Sequence, residues 1–369
     1  MVRKMAKRKP RRKGKGIFGL TTRMIMLIVG GLLMVTYGSM LVNPAKAWGF
    51  SLLGLLFVPL SVLNLILLLW AVKRLSRSFV IPLLALLPSF FFIGRYAQIP
   101  SDDQDPATNP TLKIVSYNVG RFAFHENESP KTGHRQCADS IFAFIRSCDA
   151  DVVCLQEFRI SDMNKVRSYL QSQMKGYKAE FYLFPTRGGA AFGNVTLSRL
   201  PLKSKGKIKF DESANLAIYT DYEAHGRRFR VYNCHFESYN ISLPGILRGI
   251  FHADKSVFSE TGSKMKRSIT RRPKQVDKVF SDIESCPVES FVCGDFNDNP
   301  MSYSYYRLMR GRKDSFVEAG QGFGATFARL WPLLRIDYIL LPDRFRAIEH
   351  NTPQIKFSDH YPVVATIEL

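Results

Sequence analysis

The chain has no C-x-x-C pair and none of the cysteine and histidine spacings of a zinc finger, which argues against a structural zinc domain. It has no G-x-x-x-x-G-K-[ST] loop, no G-x-S-x-G and no H-E-x-x-H. Those absences set aside P-loop nucleotide hydrolases, elbow-type serine hydrolases and zinc proteases of that helix signature. No segment repeats. Cysteine is sparse, with six residues that leave the redox compartment open. Cys154, Cys234 and Cys293 fall inside apparent strands, where a buried inert thiol is expected. Whether Cys137 and Cys148 pair is left open.

Acidic residues are nearly missing from the first third. Residues 1–110 hold 3 Asp and Glu against 15 Lys and Arg, while residues 111–369 hold 28 against 37. The formal charge of +21 therefore divides into an excess of 12 and an excess of 9. Nine of the basic residues lie in the opening "MVRKMAKRKPRRKGKG". Such a cluster suits nucleic acid, but beside apolar segments it reads as a topology signal against anionic lipid. With 369 residues, 46% hydrophobic and 12% aromatic, the chain can bury one large core or two smaller ones.

Met24 to Val42 carries no charge, and Trp48 to Trp70 repeats that pattern. At about 1.5 Å per residue, either crosses a hydrocarbon layer of about 30 Å as a helix. A third run, Phe79 to Gly94, is shorter and contains Pro82 and Pro88; we read it as a third span, with a re-entrant or surface segment as the alternative. Basic residues flank the N-terminus and the "AVKRLSRS" loop, whereas "QIPSDDQDPATNP" is acidic. Positive-inside bias then puts the N-terminus in the cytoplasm and, with three spans, the C-terminal domain outside. With two spans the domain is cytoplasmic. Ala45-Lys46-Ala47 resembles a signal-peptidase site, but the preceding apolar core is long for a signal peptide and more apolar runs follow. The expected organisation is a basic cytoplasmic N-terminus (1–22), a membrane region of two to three helices (23–97), a linker (98–110) and a globular domain (111–369). The expected location is a cytoplasmic (inner) membrane, multi-pass, with the domain extracytoplasmic.

Beyond the linker, short apolar strands repeatedly stop at polar side chains. "LKIVSYNV" ends around Asn118, "ADVVCLQEF" at Glu157, "RFRVYNCHFES" around His235 and "SFVCGDFND" at Asp295 and Asn297. "RIDYILLP" contains Asp337, and "FSDHYPVVATIEL" opens with Asp359 and His360. "GHRQCADSIFAFIRSC" and "RRPKQVDKVFSDIES" have helical spacing between the strands, so the architecture is α/β. Singly, each residue has an ordinary explanation, because Asp or Asn beside Gly after a strand is usually a turn residue. Together they form a set of carboxylates, amides and histidines suited to a phosphate ester. Glu157 with Asp359 could hold Mg²⁺ or Mn²⁺, which prefer oxygen ligands. A carboxylate base could activate water while a cationic histidine and an amide stabilise the phosphoryl oxygens. Residues i and i+2 of an extended segment point the same way, so Asp295 could orient the water while Asn297 contacts the phosphoryl group.

The ordered motifs "SYNV", "LQE", "GNVTLSRLPL", "NCHFES", "GDFND", "RIDYILLP" and "SDHYPV" resemble those of the endonuclease/exonuclease/phosphatase superfamily, in a membrane-anchored bacterial form. The resemblance spans about Lys113 to the C-terminus. It implies a four-layered α/β sandwich of two mainly antiparallel sheets flanked by helices. It also implies that Asn118 and Glu157 help bind metal or phosphate, that His235 stabilises the phosphoryl oxygens, and that Asp295 orients water. Asn297 then matches the transition-state amide, Asp337 the acid supporting a histidine or metal, Asp359 a metal-side carboxylate and His360 the histidine at the scissile phosphate. Asn194 falls on a position near the site. Since every core motif is present, an active hydrolase is expected.

Substrate choice in such folds lies in the loops. Tyr239 to Lys274 carries eight basic and two acidic residues, and Leu243, Ile246, Leu247, Ile250 and Phe251 sit at helical spacing. That stretch is either an interfacial helix or a helix packed on its own domain, and its charges could also follow a nucleic-acid backbone. Three functions follow: a membrane-anchored metal-dependent phosphodiesterase or phosphatase on a lipid or small ester, a membrane-tethered nuclease, and a non-catalytic scaffold. The partners expected are the lipid bilayer and a phosphate-ester substrate, with no stable protein partner.

Overall fold

The computed structural model describes residues 14–100, 107–123, 130–186, 188–211, 213–239 and 255–369. The apolar stretch Leu243 to Phe251 lies outside the described residues. All six cysteines are within them and none forms a disulfide.

Four helices open the chain: α1 (Gly14–Ser39), α2 (Trp48–Leu55), α3 (Phe57–Lys73) and α4 (Val80–Leu86). Gly19–Ser39 of α1 is long and apolar enough to cross a membrane. The second apolar run is not one straight helix, as the sequence suggested, but breaks between α2 and α3 with a bend of 55°. Pro59 causes it: proline has no N–H for the Leu55 carbonyl, and its ring crowds that carbonyl. The third run likewise gives way to 3₁₀ turns at Leu87–Phe91, where Pro88 has the same effect on α4. The helices pack side by side around Leu33, Phe57, Leu60 and Ala85. Arg23 near the start of α1 donates to Ser78 at 2.9 Å, so the ends rich in basic residues lie together.

The strands that follow are β1 (Ala97–Gln98), β2 (Thr111–Asn118), β3 (Val152–Ile160), β4 (Lys178–Pro185), β5 (Ala191–Ser198), β6 (Leu202–Lys209) and β7 (Leu216–Ala224). The second half supplies β8 (Arg227–His235), β9 (Glu289–Asp295), β10 (Arg312–Asp314), β11 (Gly322–Phe323), β12 (Asp337–Pro342), β13 (Arg346–Asn351) and β14 (Val363–Glu368). They make two six-stranded sheets, in the orders β10-β12-β9-β8-β7-β6 and β13-β14-β2-β3-β5-β4, besides the short β1-β11 pair. Each large sheet has one parallel pair, β8 with β9 and β2 with β3, among antiparallel neighbours.

Alternation along the strands builds the layers. Ile114 and Val152 point to a core between the sheets, with Phe229, Phe291 and Ile339 opposite. Their neighbours Val115 and Val153 point outward to Ile141, Phe142 and Ile145 on α5 (Pro130–Cys148). On the other side, Tyr232, Val292 and Leu340 meet Val276, Val279 and Phe280 of a helix over Lys255–Glu284. The result is the expected helix, sheet, sheet, helix sandwich.

The helical layer is not a loose tether. Ser39 donates to the Met301 carbonyl at 3.0 Å, and Arg95 to the Pro300 carbonyl at 3.1 Å. Asn299 donates to the Gly54 carbonyl at 2.9 Å, and Met301 sits in the apolar cluster of the helices. The segment expected to be a linker begins inside β1, which pairs with β11 of the sandwich.

Candidate active site

The two parallel pairs set the site. β2 and β3 run side by side in one sheet and β8 and β9 in the other, so Asn118, Glu157, His235 and Asp295 all arrive at carboxyl ends or near them. Asp337 opens β12 directly opposite Asp295 in the antiparallel register. Residues 359 and 360 lead into β14, whose Val363 pairs with Ser116 near the end of β2. Residues far apart in sequence thus share one rim of the sandwich.

Gly294 explains the first letter of "GDFN". Its φ is +132°, and a Cβ there would lie 1.9 Å from the Cys234 carbonyl oxygen of the paired strand. Only glycine admits that approach. Asp295, 1% exposed, then accepts from the Asn297 backbone at 2.8 Å, from the Asn118 amide at 2.9 Å and from the Asn297 amide at 3.0 Å. The Asp295–Asn297 partnership is real, but it does not come from strand periodicity. Asn297 has φ +52°, and the Asp295 carboxylate closes a turn onto its N–H. Asparagine tolerates that left-handed geometry better than most residues.

His360 directs Nδ1 to the Asp337 carboxylate at 2.9 Å, with Nε2 3.9 Å from Asp295 Oδ2. Burial disfavours its charged form, but the Asp337 and Asp295 carboxylates outweigh it and raise the imidazole to about 10. Burial, then the Asp337 charge, pushes Asp295 up to about 6. His235 Nε2 lies 3.7 Å from Glu157 Oε1 and 3.8 Å from Asp295 Oδ2. It is buried without a hydrogen-bond partner, as is Asp337 Oδ1. Orphaned buried polar atoms at one centre are expected where a ligand completes the set.

Glu157 has φ +52° at an irregularity in the β3–β5 pairing, a strained conformation that turns its side chain toward the rim. Its carboxylate meets Arg121 Nε at 3.1 Å, while Asp359 lies 3.7 Å from Arg329. Asn118 accepts from Gly120 N–H at 3.0 Å, and a Cβ on Gly120 would lie 3.2 Å from Asp359 Oδ1, so Asn118 and Asp359 share a wall. Among the described residues, the group whose ligand atoms lie within 4.8 Å of one another is Asp295, Asp337 and His360. A doubly protonated imidazole offers no lone pair, so this trio is better suited to acid–base work than to ligation. The hard oxygen donors at the rim are Glu157, Asp359 and the Asn118 amide, a set whose chemistry fits Mg²⁺ or Mn²⁺.

Asn194 is buried below this centre, where its amide donates to the carbonyls of Leu216 and Asn233 across the two sheets. Sequence reasoning missed its partners. Asn233 donates to the Leu155 and Val195 carbonyls, and Gln156 donates to Asn233 Oδ1 at 2.8 Å. Both lie beside residues already singled out, which is the signal that could have found them. Arg272 was also missed, counted within a basic surface. It is buried and bridges Asp298 at 3.1 Å, the Glu237 carbonyl at 2.8 Å and the Tyr239 hydroxyl at 3.1 Å. One guanidinium thus ties the chain after His235 to the chain after Asn297.

Residues 115–360 match the model of the Endonuclease/Exonuclease/phosphatase family, and residues 18–96 match a model described as a domain of unknown function. No curated protein matches. Among solved structures, an endonuclease/exonuclease/phosphatase from Beutenbergia cavernae is similar at 20% identity over 70% of this chain and 72% of that one, with a TM-score of 0.51. Its counterpart from Bacteroides vulgatus is 17% identical over 70% of this chain and 99% of that one, also at 0.51. The catalytic domain of human Nocturnin, solved with a bound sulfate anion, is 17% identical over 73% and 98%, at 0.51. These likenesses show the fold.

Proposed function

The chain belongs to the endonuclease/exonuclease/phosphatase family, and on that premise we propose that it is a membrane-anchored, divalent-metal-dependent phosphoester hydrolase that attacks phosphorus with water. The fold is that of phosphoester hydrolases. The observation that carries the activity is the Asp295–His360–Asp337 arrangement, in which a carboxylate raised to about 6 faces an imidazolium raised to about 10. Titratable groups pushed apart in this way suit general base and general acid roles.

Asp295 is the group to take a proton from water, with Asn118 donating to Oδ2 and the Asn297 backbone to Oδ1, so that the carboxylate plane keeps its direction. His360, oriented by Asp337, offers positive charge to the phosphoryl oxygens, and His235 Nε2 is a second polar group free to meet them. Asn297 spends its amide on Asp295 and the Phe236 carbonyl in this arrangement, so its turn to a phosphoryl oxygen requires ligand. Glu157, Asp359 and Asn118 would hold the cation, which when bound supplies charge neutralisation at the ester.

Several observations support anchoring. α1 is long and apolar enough to span, and the bent α2–α3 pair passes the same test if taken as one span. Arg23 and Ser78 meet at one end of the helical layer, while Ser39, Gly54 and Arg95 meet the sandwich at the other. We therefore keep the three-crossing topology, with the sandwich on the side opposite the basic N-terminus.

The test is hydrolysis by the full chain in detergent, with Mg²⁺, Mn²⁺ or EDTA, against plasmid DNA, RNA, sphingomyelin, inositol phosphates and bis(4-nitrophenyl) phosphate, with Asp295→Ala in parallel. Metal-dependent turnover lost in the variant supports the reading. Turnover that survives Asp295→Ala sinks the assignment, and a preference for DNA or RNA replaces the ester class with the nuclease reading.

A further inference from the structure

The segment from β11 to the start of β12 has two faces. Its inner face builds the catalytic centre. Thr326 Oγ1 accepts from the Ile336 and Asp337 backbones at 3.0 and 3.1 Å, Phe327 pairs with His360 in an isolated bridge, and Ala328 N–H donates to the Asp359 carbonyl at 2.9 Å. The Phe327 ring stands against the His360 imidazole, with centroids 5.2 Å apart.

Its outer face is apolar and open. Phe323 is 55% exposed, Trp331 43% and Leu333 48%. Phe323 and Trp331 rings meet edge to face at 5.9 Å, so they form one patch. That patch is pinned to the point where the helical layer ends. Ala97 pairs with Phe323, Gly324 N–H donates to the Tyr96 carbonyl at 2.9 Å, and Arg335 donates to the Arg95 carbonyl at 2.8 Å. The chain on either side of that pairing is equally bare, with Ile93 56% and Ile99 89% exposed. Exposed apolar side chains thus lie on both sides of the point where the helices meet the sandwich. Tryptophan and phenylalanine at the end of a membrane-spanning layer belong to the headgroup region, where an amphipathic or aromatic edge lowers its free energy.

We propose that Gly322–Leu334 is a membrane-interface element that seats the site on the bilayer surface, so that the ester it takes is a lipid phosphoester presented from that surface. This rests on the anchored-hydrolase reading above. The same short loop that enters the lipid carries Thr326, Phe327 and Ala328, so insertion places the Asp337–His360 pair just above the headgroups.

The experiment uses the full chain in vesicles of phosphatidylcholine, phosphatidylglycerol and sphingomyelin. The chain has three tryptophans, and Trp48→Phe with Trp70→Phe leaves Trp331 as the sole indole. Lipids brominated high on the acyl chain are expected to quench Trp331 more than those brominated near the chain end, and acrylamide to reach it poorly. Emission indifferent to bromine at both depths and open to acrylamide overturns the proposal. In a second arm, Phe323→Ser with Leu333→Asp is expected to lower turnover of the vesicle lipids roughly tenfold, the scale of one lost apolar burial. Turnover of soluble bis(4-nitrophenyl) phosphate should stay unchanged. Equal loss on both esters overturns the proposal, as does a wild type that cleaves the soluble ester and no lipid. A wild type inactive on every ester sinks the hydrolase reading instead, and the quenching arm then decides the loop's place by itself.

Discussion

Asn299 donates its side-chain amide to the Gly54 carbonyl at 2.9 Å, joining the loop after Asp295 and Asn297 to a helix 245 residues earlier. The contact is close enough that Gly54 is a necessity, since a Cβ there would lie 2.8 Å from both the Met301 carbonyl oxygen and Ser39 Oγ. Gly54→Val is therefore expected to displace the 298–302 loop. Turnover should fall about tenfold to a hundredfold, the cost of misplacing catalytic groups by about an ångström, with helix content unchanged. Wild-type kinetics in that variant, with circular dichroism as control, would show that the helical layer has no hold on the site.

Asp295→Asn keeps the shape and the hydrogen-bonding size of the side chain but removes its basicity. Turnover is expected to drop about a hundredfold to ten-thousandfold, the usual worth of a positioned base, with the thermal midpoint unchanged or higher because a buried charge is gone. Activity within a few-fold of wild type would transfer the base role elsewhere.

The pH profile follows from the same pair. Asp295 must be ionised to accept a proton, so kcat/KM should rise as pH passes about 6. His360 must stay protonated, so it should fall toward about 10. The two limbs belong to the coupled groups together. Asp337→Asn removes the charge that raises both, and the whole bell should move to lower pH. A profile that keeps its position in that variant counts against the pairing.

His350 gives a stability prediction with a defined sign. Burial, then the Arg335 charge, holds its imidazole down to about 3, while Ser315 and Thr352 satisfy its two nitrogens. An unfolded histidine titrates near 6.5, so between about 6.5 and 3 the unfolded chain binds the extra proton and folding weakens as pH falls. The loss is roughly 1.4 kcal/mol per pH unit across that window. Urea titrations of His350→Gln should show a shallower acid slope than wild type; parallel slopes would refute the assignment.

EDTA should abolish turnover and Mg²⁺ restore it. Glu157→Gln should raise the Mg²⁺ concentration for half-maximal rate by about tenfold, as expected when one ligand charge is lost, without altering the thermal midpoint by more than a degree or two. Unchanged metal dependence would remove Glu157 from the metal-side set.

Much of the sandwich was legible because its signals are local. Ile114 beside Val115, and Val152 beside Val153, are apolar on both faces, which is what a strand between a sheet and a helix layer requires. α5 and the helix before β9 showed their apolar spacing plainly. Asn118, Glu157, His235, Asp295, Asp337 and His360 have ordinary explanations one by one, and stood out because they recur together at or near the ends of apolar strands. The break at Leu56 was missed because the run is apolar throughout and Pro59 was not weighed against the Leu55 carbonyl.

Sequence alone therefore determined which side chains gather, since strand length and register carry each motif to one rim. Tertiary structure decided how they are held. The left-handed turn at Asn297, the rise of Asp295 toward neutral pH and the lock of Arg272 on Asp298 all depend on groups brought close across the fold. The same is true of the Asn299–Gly54 bond and of the bare face of Phe323, Trp331 and Leu333. Burial and long-range contact set those energies, and neither exists until the sheets have closed and the helices have docked.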